Sequence, residues 1–140
     1  MRIYFSALFF LLPYYFSFAS IPGGAKNIGP GKPAYQIKAK VTGIKDTTCF
    51  LAYHFGDKKY LKDTARVDAN GRMVFDGKDT LPGGIYLLVL PNKNYFEIII
   101  DKQQNFSIET DTLDFINHMK ISGSSDNQLF YDYLKYITSR

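Results

Sequence analysis

Tyr35-Gln36-Ile37-Lys38-Ala39-Lys40-Val41-Thr42 alternates apolar and polar residues without a break. A period of two places Tyr35, Ile37, Ala39 and Val41 on one side of an extended chain. Gln36, Lys38, Lys40 and Thr42 fall on the other. This is the pattern of a strand with one face in a core and one in water. Gly43 ends it, and the neighbouring segments follow the same logic.

Thr47 to Phe55 is apolar on both faces and reads as a more deeply buried strand, followed by the turn Gly56-Asp57-Lys58. Tyr60 to Val67 places Leu61, Ala65 and Val67 on one face. Asp68-Ala69-Asn70-Gly71 predicts a hairpin, because Asn-Gly accepts positive φ and reverses the chain between two strands. Arg72 to Phe75 returns with Met73 and Phe75 on one side. Leu81-Pro82-Gly83-Gly84 makes the next turn, and Ile85 to Leu90 is a continuous apolar run suited to a central strand. After Pro91-Asn92-Lys93-Asn94, strands over Tyr95–Ile100 and Phe106–Thr110 flank a tight Asp101–Asn105 connection. A short edge strand around Met119–Ile121 completes the set.

Seven or eight short strands joined by Gly, Asn and Asp turns predict an all-β domain over residues 35–122. The expected architecture is an antiparallel β-sandwich, with a barrel as the alternative. Residues 123–140 are expected to form an amphipathic helix. Ser125 and Gln128 have capping-box spacing, and Leu129, Phe130, Tyr133, Leu134 and Ile137 form an apolar stripe. Such a helix either docks on the sandwich or opens a second module.

Upstream of the strands the chain changes character twice. Met1-Arg2, an apolar run rich in Phe, Leu and Tyr, and Ser17-Phe18-Ala19 have the charge, hydrophobic segment and small residues of a secretory signal over residues 1–19. Pro13 and the shortness of the apolar run argue against retention as a membrane anchor. No cysteine follows the run to take a lipid. Residues 20–34, rich in Gly and Pro, read as a linker. The expected location is the periplasm or cell envelope, with no membrane association after cleavage.

The formal charge of the whole chain is +4, and Arg2 leaves with the signal. Lys38, Lys40, Lys58, Lys59, Lys78 and Lys102 are scattered in sequence. A nucleic-acid footprint requires clustered cations, so no nucleic-acid partner is expected. Eight aromatic side chains (Tyr4, Phe5, Phe9, Phe10, Tyr14, Tyr15, Phe16 and Phe18) belong to the signal, which leaves the domain with ordinary aromatic content.

Candidate chemistry is sparse. Cys49 is the only cysteine, so an internal disulfide and a C-x-x-C redox pair are both impossible. Its apolar strand setting predicts a buried thiol acting as a small hydrophobe. His54 and His118 lack the companions of a metal site and read as structural or solvated. Asp68-x-Asn70-Gly71 has the opening of a calcium loop, but Asp79 stands where the closing Glu belongs, and a turn explains the same residues. Asp63 shares parity with Leu61, Ala65 and Val67, so its carboxylate points to the apolar side and needs donors. A hydrogen-bonded bracket to a neighbouring loop, helped by Thr64, is expected, with a site acid as the alternative.

Gly123-Ser124-Ser125 lacks the frame of a serine nucleophile. Pro82-Gly83-Gly84 enters a strand, where a phosphate loop would enter a helix. The expectation is no catalytic residue, no cofactor and no metal.

Taken together, Asp63-Thr64-Ala65, Val67 to Gly71, Met73 to Gly77, Leu81 to Tyr86, Phe96 to Asp101, Phe106 to Asp111, and Ile121 to Ser124 with Asn127, Phe130 and Tyr133 carry a family likeness. This order resembles the uncharacterised N-terminal β-sandwich domain of exported Bacteroidota thioredoxin-like proteins, the TlpA-type and AhpC/TSA-type disulfide oxidoreductases. The resemblance implies an accessory, non-catalytic domain whose partner is a following thioredoxin-like module or another protein. The chain stops before any C-x-x-C, so oxidoreductase activity is carried over to no residue here. The alternative is a stand-alone periplasmic or surface module binding a glycan or peptide through Tyr53, Tyr60, Tyr86 or Tyr95. The binding residues themselves stay unknown at this stage.

Overall fold

A computed structural model describes residues 31–140. The predicted signal, residues 1–19, and most of the linker lie outside the described residues. Lys32–Arg140 form one compact unit. Its elements are β1 (Tyr35–Thr42), β2 (Thr47–Phe55), β3 (Lys58–Val67), β4 (Arg72–Gly77), β5 (Gly84–Val89), β6 (Tyr95–Ile100), β7 (Asn105–Asp111), β8 (Lys120–Ser122) and α1 (Ser125–Thr138). They build two four-stranded sheets, ordered β4-β1-β7-β8 and β3-β2-β5-β6, followed by the single helix. The expected β-sandwich of eight strands is the observed fold.

The alternation in β1 is realised residue by residue, with Tyr35, Ile37, Ala39 and Val41 buried and their neighbours turned outward. Ile37, Phe75 and Ile108 from the first sheet meet Leu51, Val67, Leu88 and Ile98 from the second in one core. Burying each such side chain contributes roughly 1.5–3 kcal/mol, which makes this interleaved layer the main stabilising element.

Two connections differ from expectation. Asp68–Gly71 is not the loop of a paired hairpin, because β3 pairs with β2 while β4 pairs with β1. The turn carries the chain from one sheet to the other. Gly71 is required there: its φ is +80°, and a Cβ would lie 2.4 Å from the Val41 carbonyl oxygen. The second difference is a parallel pairing of β1 with β7, in an otherwise antiparallel fold. It arises because the Asp101–Gln104 connection also crosses between the sheets. Gln104 holds this crossing, accepting from the Leu81 N–H at 2.8 Å and donating to the Leu81 carbonyl at 2.9 Å.

The helix docks through Asn127 and Tyr131, with Phe130 and Leu134 of the apolar stripe packed partly against the core and Leu129, Tyr133 and Ile137 left exposed. Its N-cap is Ser124, not Ser125, and the Ser124 hydroxyl accepts from the Asn127 N–H at 3.3 Å. Ser125 is spent on Gln103 instead. The helix ends at Thr138, with the Ser139 N–H bonded to the carbonyls of Lys135 and Tyr136.

Asn127, fully buried, and Tyr131 face the sandwich. The Asn127 carboxamide accepts from the Ile99 N–H at 2.7 Å and donates to the Ile99 carbonyl at 2.7 Å. The Tyr131 hydroxyl donates to the Glu97 carbonyl at 2.6 Å. Glu97 and Ile99 lie on the outer edge of β6, which has β5 on its other side. Uncovered strand edges are aggregation sites, and here a helix supplies the missing partner. Lys135 reaches the other sheet, donating to the Met119 carbonyl at 2.8 Å just before β8.

Replacing Asn127 by Ala strands a buried N–H and a C=O on β6. We expect a loss of roughly 2–4 kcal/mol in urea denaturation, against about 1 kcal/mol for Tyr131→Phe, which removes one neutral bond. Equal effects of the two substitutions would refute the assigned role of Asn127.

Candidate functional site

Few of the residues singled out by sequence gather into a chemical site. Cys49 is buried in the core, and burial pushes its thiol up to about 11. The nucleophilic thiolate is therefore suppressed at neutral pH. The Asp68 carboxylate accepts from the Arg72 and Asn70 N–H groups at 2.9 and 2.7 Å, and these two bonds hold it below the usual carboxylate range. It works for the turn. Among the described residues, no group of three or more His, Cys, Asp or Glu side chains is placed to hold a metal ion.

Asp63 forms a hydrogen-bonded bracket, but to a strand of the other sheet where a neighbouring loop was expected. Its carboxylate accepts from the Thr64 N–H and from the Tyr35 hydroxyl, each at 2.8 Å. Because Tyr35 belongs to β1 and Asp63 to β3, the bond ties the two sheets together. Burial first, and then this bond, raise the Tyr35 phenol well above its ordinary value, so it stays a donor. Leu61 does not share the inward face with Asp63 as its parity implied. The register slips between Leu51/Asp63 and Ala52/Leu61, leaving Lys62 as an extra residue. That bulge turns Leu61 to the outside.

His54 is exposed. His118 sits at the edge of a small acidic loop, its Nδ1 2.6 Å from the Asp111 carboxylate. The N–H groups of Asp114 and Leu113, with His118, hold the Asp111 carboxyl below its ordinary range. Of the tyrosines, Tyr53 stacks on Tyr60 at 5.6 Å and meets Tyr86 at 5.8 Å. Tyr86 is buried and donates to the Pro82 carbonyl. Tyr95 stands apart on β6, under the Lys59 ammonium at 5.1 Å.

The informative geometry lies on the two outer faces, which differ in character. On the first sheet the outward residues are Gln36, Lys38 and Lys40 of β1, Arg72 and Val74 of β4, Ser107 and Glu109 of β7, and Lys120 and Ser122 of β8. This face is polar, with its cations gathered at the middle levels and the carboxylates of Asp76 and Asp111 on the same face one level beyond them at either end. Sequence distance hid the cluster, and strand parity plus register reveals it.

The outer face of the second sheet carries an apolar patch, bordered on the same face by His54 of β2, Lys59, Thr64 and Arg66 of β3 and Glu97 of β6. Phe50 and Ala52 of β2, Leu61 of β3, Ile85, Leu87 and Val89 of β5, and Tyr95 and Ile99 of β6 share it by register. Leu61 is 62% exposed and Ile85 53%. Leu87 and Ala52, near its centre, are buried without joining the main core. The contact between Lys59 and Tyr95 joins the two edge strands across this face, so the sheet curls over it. At the β6 end the face runs into a groove of about 560 Å³ lined by Ile99, Leu129, Phe130 and Tyr133, with Asp101 and Asp126 at its sides. Leu129 is 72% exposed and Tyr133 59%.

These features define a helix-capped, two-layer β-sandwich with a basic groove on one outer face and an apolar patch on the other. The chain belongs to the family described as a domain of unknown function (DUF4369), whose model matches residues 35–130. No curated protein and no solved structure matches it.

Two measurements check this chemistry. A thiol reagent at pH 7 is expected to modify Cys49 only as fast as the domain unfolds, and rapid labelling of the native state would contradict the burial. For Asp111 the folded pKa lies below the unfolded value of about 3.9, so its stabilisation is present above that value and is lost as pH falls through the folded one. Asp111→Asn should therefore lower stability at pH 7 and match the parent in strong acid. A deficit that persists in acid would show that charge is irrelevant.

Proposed function

We propose that this chain is a non-catalytic interaction or positioning domain, exported and serving a thioredoxin-like thiol–disulfide oxidoreductase module outside the chain. The observation that carries the reading is the apolar patch on the outer face of the second sheet. Contiguous exposed apolar surface of this kind marks a contact site. Here it extends from Phe50 and Leu61 through Ile85 and Ile99 to Leu129 and Tyr133. The order of turns that resembles the accessory domain of those oxidoreductases supports the reading.

Physically, the domain works by area. Covering such a face removes apolar surface from water, at about 25 cal/mol per Å². A rigid sheet pays little conformational entropy for the contact. The curled face and the helix at its end impose one orientation on whatever sits there, which is the meaning of positioning. The buried thiol of Cys49 takes no part, and any redox chemistry belongs to the partner's own cysteines.

A photo-crosslinking residue at Ile85 or Tyr133, introduced into the full chain in its native envelope, is expected to capture a thioredoxin-like polypeptide. The same residue at Gln36, on the opposite face, is expected to capture none. Leu61→Glu should weaken capture about tenfold or more, since each buried apolar contact contributes over 1 kcal/mol. The chain alone should not reduce insulin. Sustained turnover by the chain, or capture equal from both faces, would refute the proposal.

A further inference from the structure

The polar face holds an arrangement that the interaction reading does not use. At one level across the first sheet, the register sets Arg72, Lys40, Glu109 and Lys120 side by side on β4, β1, β7 and β8. At the next level stand Val74, Lys38, Ser107 and Ser122. Together they line a groove of about 430 Å³.

Lys40 faces Arg72 directly, and like charges opposed on a sheet are destabilising. Glu109 offsets part of this, lying 3.9 Å from the Lys40 ammonium. Among the described residues, Lys38, Arg72 and Lys120 have no ion-pair partner. Within the groove four cations therefore share one carboxylate, with Asp76 and Asp111 just beyond its two ends, and the groove is an attractive seat for negative charge.

We propose that this groove binds an acidic glycan that carries one anionic group per disaccharide. The spacing of the charges selects that ligand. Arg72 and Lys40, with Lys38 beside them, make one cationic seat, and Lys120 makes a second. β1 and β8 are two strand positions apart, so the seats are roughly 10 Å apart, from an interstrand distance of about 4.8 Å.

Glu109 lies between the seats, with Ser107 next to it on the same strand. A carboxylate there repels a run of adjacent anions but accepts hydrogen bonds from sugar hydroxyls, as do Ser107 and Ser122. Two sugar rings of an extended chain bridge the seats, whereas a free phosphate or sulfate fills only one. A peptide with consecutive acidic residues meets Glu109. The site is on the sheet opposite the apolar face, so the proposal stands or falls independently of the oxidoreductase reading.

The test is calorimetric titration of the full chain with a hyaluronan hexasaccharide, which has one carboxylate per disaccharide, beside oligoglutamate of matched charge and inorganic sulfate. Hyaluronan should bind, weaken as salt rises, and bind at least about tenfold more tightly than either comparator. The double substitution Lys40→Ala/Arg72→Ala and the single Lys120→Ala should each weaken it about tenfold, the scale of one lost charge-assisted seat. Lys78→Ala and Lys102→Ala, outside the groove, should leave it unchanged. Arg72, Lys78, Lys102 and Lys120 are exposed and Lys40 is half-buried, and Lys120→Ala on the short edge strand keeps the test alive if the double variant folds poorly. Absence of hyaluronan binding would overturn the proposal. So would equal binding of oligoglutamate or sulfate, or equal losses from cations inside and outside the groove.

Discussion

The carboxamide of Asn127 completes a sheet. It offers Ile99 one acceptor and one donor, each at 2.7 Å, as a residue on a neighbouring strand would do. That match depends on the start of the helix. Ser124 caps it, and its hydroxyl also accepts from the Asn127 side chain at 2.9 Å, which fixes the rotamer. Once Asn127 is seated, Tyr131 comes one turn later to the Glu97 carbonyl, and the roll of the helix is set. Leu129, Tyr133 and Ile137 are then turned outward. Buried backbone groups must be satisfied, and here that requirement outranks the burial of leucine and isoleucine. The apolar rim beside β6 is a by-product of closing the edge.

Much of the architecture was legible because sheet parity is local. The inward residues of β1, β4, β6 and β7 can be read directly from alternation, and so can the buried nature of β2 and β5. What parity does not state is which strand lies next to which. The turn at Asp68–Gly71 has the residues of a hairpin yet links two sheets, since its conformation depends on Gly71 while the pairing depends on distant partners. The slip at Lys62 is likewise invisible, and it moved Leu61 from the expected inner face to the outer one. The helix was legible in part: Phe130 and Leu134 of its apolar stripe pack on the core, but hydrophobic periodicity weighs apolar area alone, and polar atoms of Asn127 and Tyr131 set its roll.

The outer faces show the same division. A strand apolar on both sides was expected to be covered on both sides. β2 and β5 are indeed central, but their second side forms the outer surface of the sheet. The basic cluster was missed because Lys38 and Lys40 are separated from Arg72 and Lys120 by long stretches of chain. Only the register of β4, β1, β7 and β8 assembles them. Its signal was present in fragments, as a cation on the polar side of each of three strands.

The bulge at Lys62 carries a consequence for how copies of this domain coexist. β6 is already closed by the helix, and β8 is only three residues long. Among the described residues β4 is a six-residue border, and β3 is the longest strand with an unpaired border; there the extra residue, Lys62, breaks the even ladder that a newcomer strand would copy, close to Lys58 and Lys59. Propagation border-to-border, the route to fibrils, loses its template at that point. A domain so protected can expose a broad greasy plane to its surroundings without polymerising.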